Sequence, residues 1–247
     1  MRSTFPVEFK NKTIKRTSLF TLLRGLKGIV ELKYLADKLG MIMSKKEHWD
    51  TVYSTKAPDS VSWFQEHSAS SLNLIESLDL DKHKPIIDIG AGVSTLVDDL
   101  ILNGYSDLTV LDISGTALEI AKKRNKLNSD KVQWQEADVT EVKLSKHQFE
   151  VWHDRAVFHF LTKPDERKAY IKNMLDSVRP FGHIIIATFA DDGPTQCSNL
   201  PVIRYSANSL QAELGENFLL KLHFIENHRT PFGTTQKFAF CHFVKMI

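Results

Sequence analysis

The chain has 247 residues, 42% hydrophobic and 25% charged, with a formal net charge of +2; these values suit one α/β domain of ordinary size and exclude a wholly disordered chain. The charge is uneven: residues 1–46 hold eleven Lys and Arg against three acids, leaving the rest of the chain at −6, and an acidic body is a poor surface for nucleic acid. No apolar run approaches the ~18–20 residues that span a bilayer, no secretory leader pattern is present, and Cys197 and Cys241 stand in no metal-ligand spacing. A cytoplasmic protein without a structural disulfide is expected.

Residues 1–46 read as a basic amphipathic extension to a domain spanning 47–247. Leu19, Phe20, Leu22, Leu23, Leu26, Ile29, Val30 and Leu32 recur at spacings of three and four, broken at Gly25 and Gly28. Three readings stay open for it. It is a helix packed on the domain or on a partner, a membrane-surface or organelle-targeting helix, or a dispensable start ahead of Met41 and Met43.

The segments 48–56 and 61–66 are short and aromatic-rich, separated by Pro58. A helix is predicted over 71–80. Strands and helices then alternate: strand 85–89, helix 94–103, strand 108–113, helix 115–127, strand 132–135, strand 149–153, helix 165–177, strand 183–189 and helix 206–214 with Ser206 as N-cap. Strands 218–227 and 235–244 follow without a helix between them, a hairpin-like antiparallel edge. Such alternation predicts a mostly parallel sheet with helices on both faces.

The informative stretch is 86–94, I-I-D-I-G-A-G-V-S. A buried strand ends at Asp88, and Gly90 and Gly92 shape the turn into the next helix, which is either a tight turn alone or a close backbone approach to a ligand. Asp112 ends the second strand and Asp138 follows the third. Three acids where strands stop predict a nucleoside site, with Asp112 on the ribose diol and Asp138 on an adenine amino group. The third glycine of a dinucleotide fingerprint is Thr95 here, and Asp88 would face a pyrophosphate. A carboxylate suits a cation instead, and S-adenosylmethionine carries an ammonium and a sulfonium but no phosphate.

On D-I-G-A-G, L-D-I-S and E-A-D-V, residues 48–244 resemble the class I S-adenosylmethionine-dependent methyltransferases. The resemblance implies a Rossmann-like seven-stranded sheet, mostly parallel with an antiparallel last strand. It implies Asp88, Gly90 and Gly92 at the methionine portion, Asp112 at the ribose, Asp138 at the adenine, and Ile113 and Val139 sandwiching the ring. Ala91, Ser94, Ser114 and His153 complete the expected contacts, and Tyr53 and Trp63 either close over the cofactor or pack as core.

On the acceptor side, His153, Asp154, Arg155 and His159 crowd polar groups among apolar ones. Asp154 and Arg155 form either an internal ion pair or part of the site. The segment D-R-A-V-F-H is similar to D-K-G-T-[FW]-D of some protein lysine methyltransferases, although His159 replaces the second acid. His159 is the first candidate for a general base and Asp154 the second, with a structural histidine as the alternative. The stretch 191–206 is expected to wall the acceptor pocket, with Arg204 and Tyr205 as contacts. The expected acceptor is a small molecule or a protein side chain. The competing readings are a non-catalytic S-adenosylmethionine-binding or adapter protein and a nucleotide-dependent oxidoreductase. No metal site is expected.

Overall fold

The computed structural model describes residues 43–247, and Lys45–Ile247 form one compact unit. The expectations for the basic extension fall on residues 1–42, outside the described ones. The helices are α1 (Lys45–Thr55), α2 (Ala69–Glu76), α3 (Leu96–Leu102), α4 (Gly115–Arg124), α5 (Pro164–Ser177) and α6 (Ala207–Leu214). The strands are β1 (Ile86–Ile89), β2 (Leu108–Asp112), β3 (Val132–Glu136), β4 (Phe149–Arg155), β5 (Val178–Phe189), β6 (Gln196–Cys197), β7 (Leu200–Pro201), β8 (Phe218–Arg229) and β9 (Thr235–Lys245).

Seven strands make one sheet in the order β3-β2-β1-β4-β5-β9-β8. β1 to β5 pair in parallel, whereas β9 runs antiparallel to β5 and to β8. The order reverses between β1 and β4, which opens a crevice at their carboxyl ends where sheets of this kind bind ligands. Asp88, Asp112 and Asp154 all stand at or near that edge, with Asp88 level with His153 and Ile89 level with Asp154.

Side-chain alternation splits the core in two. One face packs Ile87, Ile89, Trp152, Ile184, Ile186 and Phe243 under α5 and α6. The other packs Ile86, Val110, Val151, Ile185, Ala187 and Phe240 under α2, α3 and the residues around them. Helix α6 starts on a reciprocal cap, in which Ser206 Oγ accepts the Ser209 N–H and Ser209 Oγ accepts the Ser206 N–H.

The aromatic segment at 48–56 is helical, part of α1, so Trp49 and Tyr53 sit one turn apart and stack with centroids 6.0 Å apart. Strand β5 begins at Val178, five residues before the expected start, because Val178 already pairs with Phe149 ahead of Pro180 and Gly182. The stretch 191–206 contains the small β6–β7 ladder. Among the described residues no helix is long and apolar enough to cross a membrane.

Candidate active site

A cavity of about 340 Å³ opens at the crevice between β1 and β4. Its walls include Asp88, Gly90, Ala91, Ser94, Asp112, Ile113, Asp138, Val139 and His153 from the strand ends and turns, and Tyr53 and Trp63 from the segment before β1.

The turn after β1 is built for close approach. Gly90 and Gly92 have φ of +57° and +56°, in the left-handed region. A Cβ on Gly90 would lie 2.0 Å from Val157 Cγ2, and one on Gly92 would lie 2.3 Å from the Tyr53 hydroxyl. Gly90→Ala is therefore expected to lower both Tm and cofactor affinity, the latter by about tenfold or more. Gly104→Ala, at φ +87° with open space around it, is expected to cost about 1 kcal/mol of strain and leave binding unchanged. Thermal melts and ligand titrations of the two variants check the contrast.

Asp112 is 4% exposed, and its two carboxylate oxygens accept from the Gly92 and Ser114 N–H groups, each at 2.7 Å. Burial pushes its pKa up to about 6 against those two donors, with Asp88 and Asp50 adding to the rise. Each oxygen keeps a lone pair for a further donor. Gly92 and Ser114 do not line the cavity; they fix the orientation of Asp112 instead. Ser114 also caps α4 by accepting the Ala117 N–H, and its hydroxyl donates to Asp50 of α1 at 2.6 Å. Burial would raise Asp50, but Lys46, Ser114 and Thr116 hold it down at about 2. Helix α1 is thus tied by a charged contact to the residue that orients Asp112.

Asp88 is hydrogen-bonded to His153 Nδ1 at 2.7 Å, and His153 Nε2 meets Ser71 Oγ at 2.8 Å. The other Asp88 oxygen is buried with no partner, a carboxylate lone pair held ready for a donor. Asp138 accepts the Thr140 N–H and hydroxyl through one oxygen. An orphaned carboxylate oxygen, a diol-ready Asp112 and a side-chain-free turn are the features that an ammonium, a ribose and a sulfonium-bearing chain require.

The far end of the cavity holds Trp49 and Phe160, which sequence reading passed over, together with Arg155 from the expected acceptor cluster and Cys197, Leu200 and Pro201 from the stretch expected to wall the pocket. Trp49 meets Trp63 edge-on at 5.9 Å and Phe160 at 5.2 Å. The four-residue spacing from Trp49 to Tyr53 was the available signal, had the segment been read as a helix. Arg155 donates to the Trp63 carbonyl at 3.2 Å and to Glu226 of β8 at 3.4 Å, and it lies over the Phe238 ring. Its Nε–H is buried without a partner. At the rim Glu166 is bridged by Lys45 at 2.9 Å and by Lys163 at 3.6 Å.

Asp154 and Arg155 are not paired with one another, because neighbours on a strand point to opposite faces. Asp154 faces α5, where it accepts the Val157 and Phe158 N–H groups and the Tyr170 hydroxyl at 2.8, 3.0 and 2.6 Å. Burial pushes it up to about 6. The two candidate bases, Asp154 and His159, both lie outside the cavity wall. His159 is fully buried, its Nδ1 accepts the Phe189 N–H, and burial, aided by Arg155, lowers it to about 3. Arg204 binds the Gly193 carbonyl and Tyr205 packs on Phe158; neither reaches the wall, which takes Cys197, Leu200 and Pro201 from that stretch.

Residues 86–182 match a family model described as a methyltransferase domain. EEF1A lysine methyltransferase 2 of Danio rerio is 26% identical over 162 residues, covering 59% of this chain and 69% of that protein. Among solved structures, the N-methyltransferase NodS from Bradyrhizobium japonicum WM9 in complex with S-adenosyl-L-homocysteine superposes with a TM-score of 0.62 at 17% identity, over 80% of this chain and 98% of that one. A protein from work on the conversion of a disulfide bond into a thioacetal group during echinomycin biosynthesis gives 0.68 at 16% identity, over 82% and 92%. These structural likenesses are of fold. Residues 86–182 thus carry a methyltransferase domain, set in a fold shared with S-adenosylmethionine-dependent methyltransferases.

Proposed function

We propose that this methyltransferase acts on a small acceptor that is neutral or anionic, entering the aromatic end of the cavity beside Arg155. The charge of that end carries the reading. Arg155 lines the cavity, with Glu226 outside the wall at 3.4 Å, and among the described lining residues the acids are Asp88, Asp112, Asp138 and Glu166. The first three stand on the strand ends assigned to the cofactor, and Glu166 is occupied by two lysines. A cationic acceptor would meet a guanidinium and no open carboxylate.

S-adenosylmethionine, when bound, supplies a methyl group on a sulfonium, a leaving group that needs no acid. The chain's own work is placement and exclusion of water. Asp88 would take the ammonium on its open oxygen, Asp112 the ribose hydroxyls, and Asp138 the adenine amino group, with Ile113 and Val139 against the ring. Gly90 and Ala91 leave room beside the methionine portion, and Ser94 offers a hydroxyl there. His153 holds Asp88 in place. Tyr53, Trp63 and Trp49 close the site from α1 and the segment after it. Asp154 and His159 are positioning groups in this reading, fixing the turn 156–160 that carries Phe160 into the wall.

A protein-lysine acceptor is the second reading, favoured by the Danio rerio relative and by the Asp154–His159 segment. It requires an ammonium with a usual pKa of about 10.4 to lose its proton beside Arg155. Both cysteines are free and buried, which suits the reducing cytoplasm we propose for the protein. The test is incubation of the purified protein with methyl-labelled S-adenosylmethionine and a cell extract. Label in the small-molecule fraction alone is expected; label on lysine in the macromolecular fraction would establish the second reading instead.

A further inference from the structure

We propose that the acceptor atom is sulfur: the site methylates a small apolar or aromatic thiol, held as its thiolate by Arg155. This rests on the reading of the cavity as the site of a methyltransferase with a neutral or anionic acceptor.

Among the described lining residues none is placed to serve as a base. Both His153 nitrogens are occupied, by Asp88 and Ser71. Burial, with Asp112 and Cys197 nearby, pushes the Tyr53 hydroxyl well above its ordinary range. Glu166 is bridged by Lys45 and Lys163. A hydroxyl or an ammonium would need its proton removed in the site. A thiol does not: with an ordinary pKa of about 8.5 it is partly ionised at neutral pH, and a neighbouring arginine lowers that further.

Arg155 supplies the neighbouring charge. Its guanidinium leans toward β8 and β9, away from the strands that carry Asp112 and Asp138, so it stands on the acceptor half of the crevice. Glu226 at 3.4 Å offsets part of its charge, and His228 and Cys197 also face it. His228 is lowered, by burial first and then by Arg155, so it adds no positive charge near neutrality. The Arg155 side chain lines the cavity, and an anion beside it would gain a charge-assisted contact. The chain's own Cys197 shows the effect: burial pushes that thiol up to about 12, and Arg155 pulls against it. A thiol arriving from solvent, less enclosed than Cys197, would feel the pull with less of the burial. Trp49, Trp63 and Phe160 complete the fit, since divalent sulfur packs favourably on aromatic rings.

The step balances without a further reactant. The thiol releases its proton to solvent. A sulfur lone pair then forms a new bond to the methyl carbon while the bond from that carbon to the sulfonium breaks, its electron pair staying on the departing sulfur. One anion and one sulfonium become two neutral thioethers.

Three probes that share a ring and differ in nucleophile test this: benzyl mercaptan, benzyl alcohol and benzylamine. Each is titrated calorimetrically into the full-length protein saturated with S-adenosyl-L-homocysteine, in two buffers of different ionisation enthalpy at pH 7, and is assayed with S-adenosylmethionine for a methylated product by mass. The mercaptan is expected to bind about tenfold or more tightly than the alcohol, to release a proton on binding, and to give the S-methyl product. Arg155→Gln should lose the proton release and about tenfold in mercaptan affinity while S-adenosyl-L-homocysteine affinity stays within about twofold; Arg155→Lys should restore part of both. The wild-type probe series stands by itself should either variant fail to fold. If the alcohol were bound and methylated in preference, the sulfur assignment would fall while a neutral acceptor survived. Preference for the amine would overturn both. Failure to bind S-adenosyl-L-homocysteine would remove the site itself.

Discussion

Asp112→Ala is expected to weaken S-adenosylmethionine binding by about a hundredfold or more while the protein stays folded. Two hydroxyl hydrogen bonds to a buried carboxylate contribute about 1.5–3 kcal/mol each, and about 2.7 kcal/mol already corresponds to a hundredfold. The alanine also frees the Gly92 and Ser114 N–H groups, so the turn itself loses its anchor. Asp112→Asn should lose less, because one oxygen remains. A pH signature accompanies the loss. Burial holds the free Asp112 at about 6, and the charged form is the one that would accept both ribose hydroxyls in the proposed site. Binding must therefore strengthen as pH rises through about 6 and weaken below it, by up to about tenfold per pH unit. Calorimetric titrations between pH 5 and 8 should show that slope in the wild type and a flatter one in Asp112→Asn.

Asp154→Ala is expected to unfold the protein more readily rather than to spare the fold and silence the chemistry. Its carboxylate gathers the Val157 and Phe158 N–H groups and the Tyr170 hydroxyl, which in turn accepts from Trp152 Nε1 at 2.8 Å. Three donors, two of them in fully buried contacts, would be left without an acceptor, a loss of about 3–5 kcal/mol. For a domain of this size that is a fall in Tm of roughly 6–20 °C. The turn it holds includes Ala156 at φ +75°, a conformation that a residue with a Cβ adopts only when its surroundings enforce it. Thermal melts of Asp154→Ala and Asp154→Asn, beside turnover numbers, check the assignment. A fully stable but inactive Asp154→Asn would make Asp154 a chemical group after all.

The parts of this site that were legible in sequence are those that local rules determine. An apolar run closed by Asp88, then glycines at 90 and 92, states a buried strand, a tight turn and a backbone left open, whatever packs around it. The spacing from Gly90 to Asp112 and on to Asp138 needs only the β-α-β alternation to put three acids on one edge. The ion-pair alternative for Asp154 and Arg155 fails because adjacency in sequence is opposition in a strand; their partners, Tyr170 and Glu226, lie 16 and 71 residues away. His159 looked like a base because nothing in the sequence shows that Phe160 and Phe189 enclose it. Trp49 and Phe160, from segments over a hundred residues apart, meet only when α1 lies across the turn after β4. The aromatic end of the cavity is a tertiary product, and no window of the sequence contains it.

The central claim is that the crevice between β1 and β4 binds S-adenosylmethionine. Calorimetric titration of the full-length protein with S-adenosylmethionine and S-adenosyl-L-homocysteine tests it most directly. The account predicts one site per chain, about micromolar affinity for both ligands, and competition between them. A folded protein that binds neither would contradict it and would leave the Gly90–Gly92 turn as a structural feature alone.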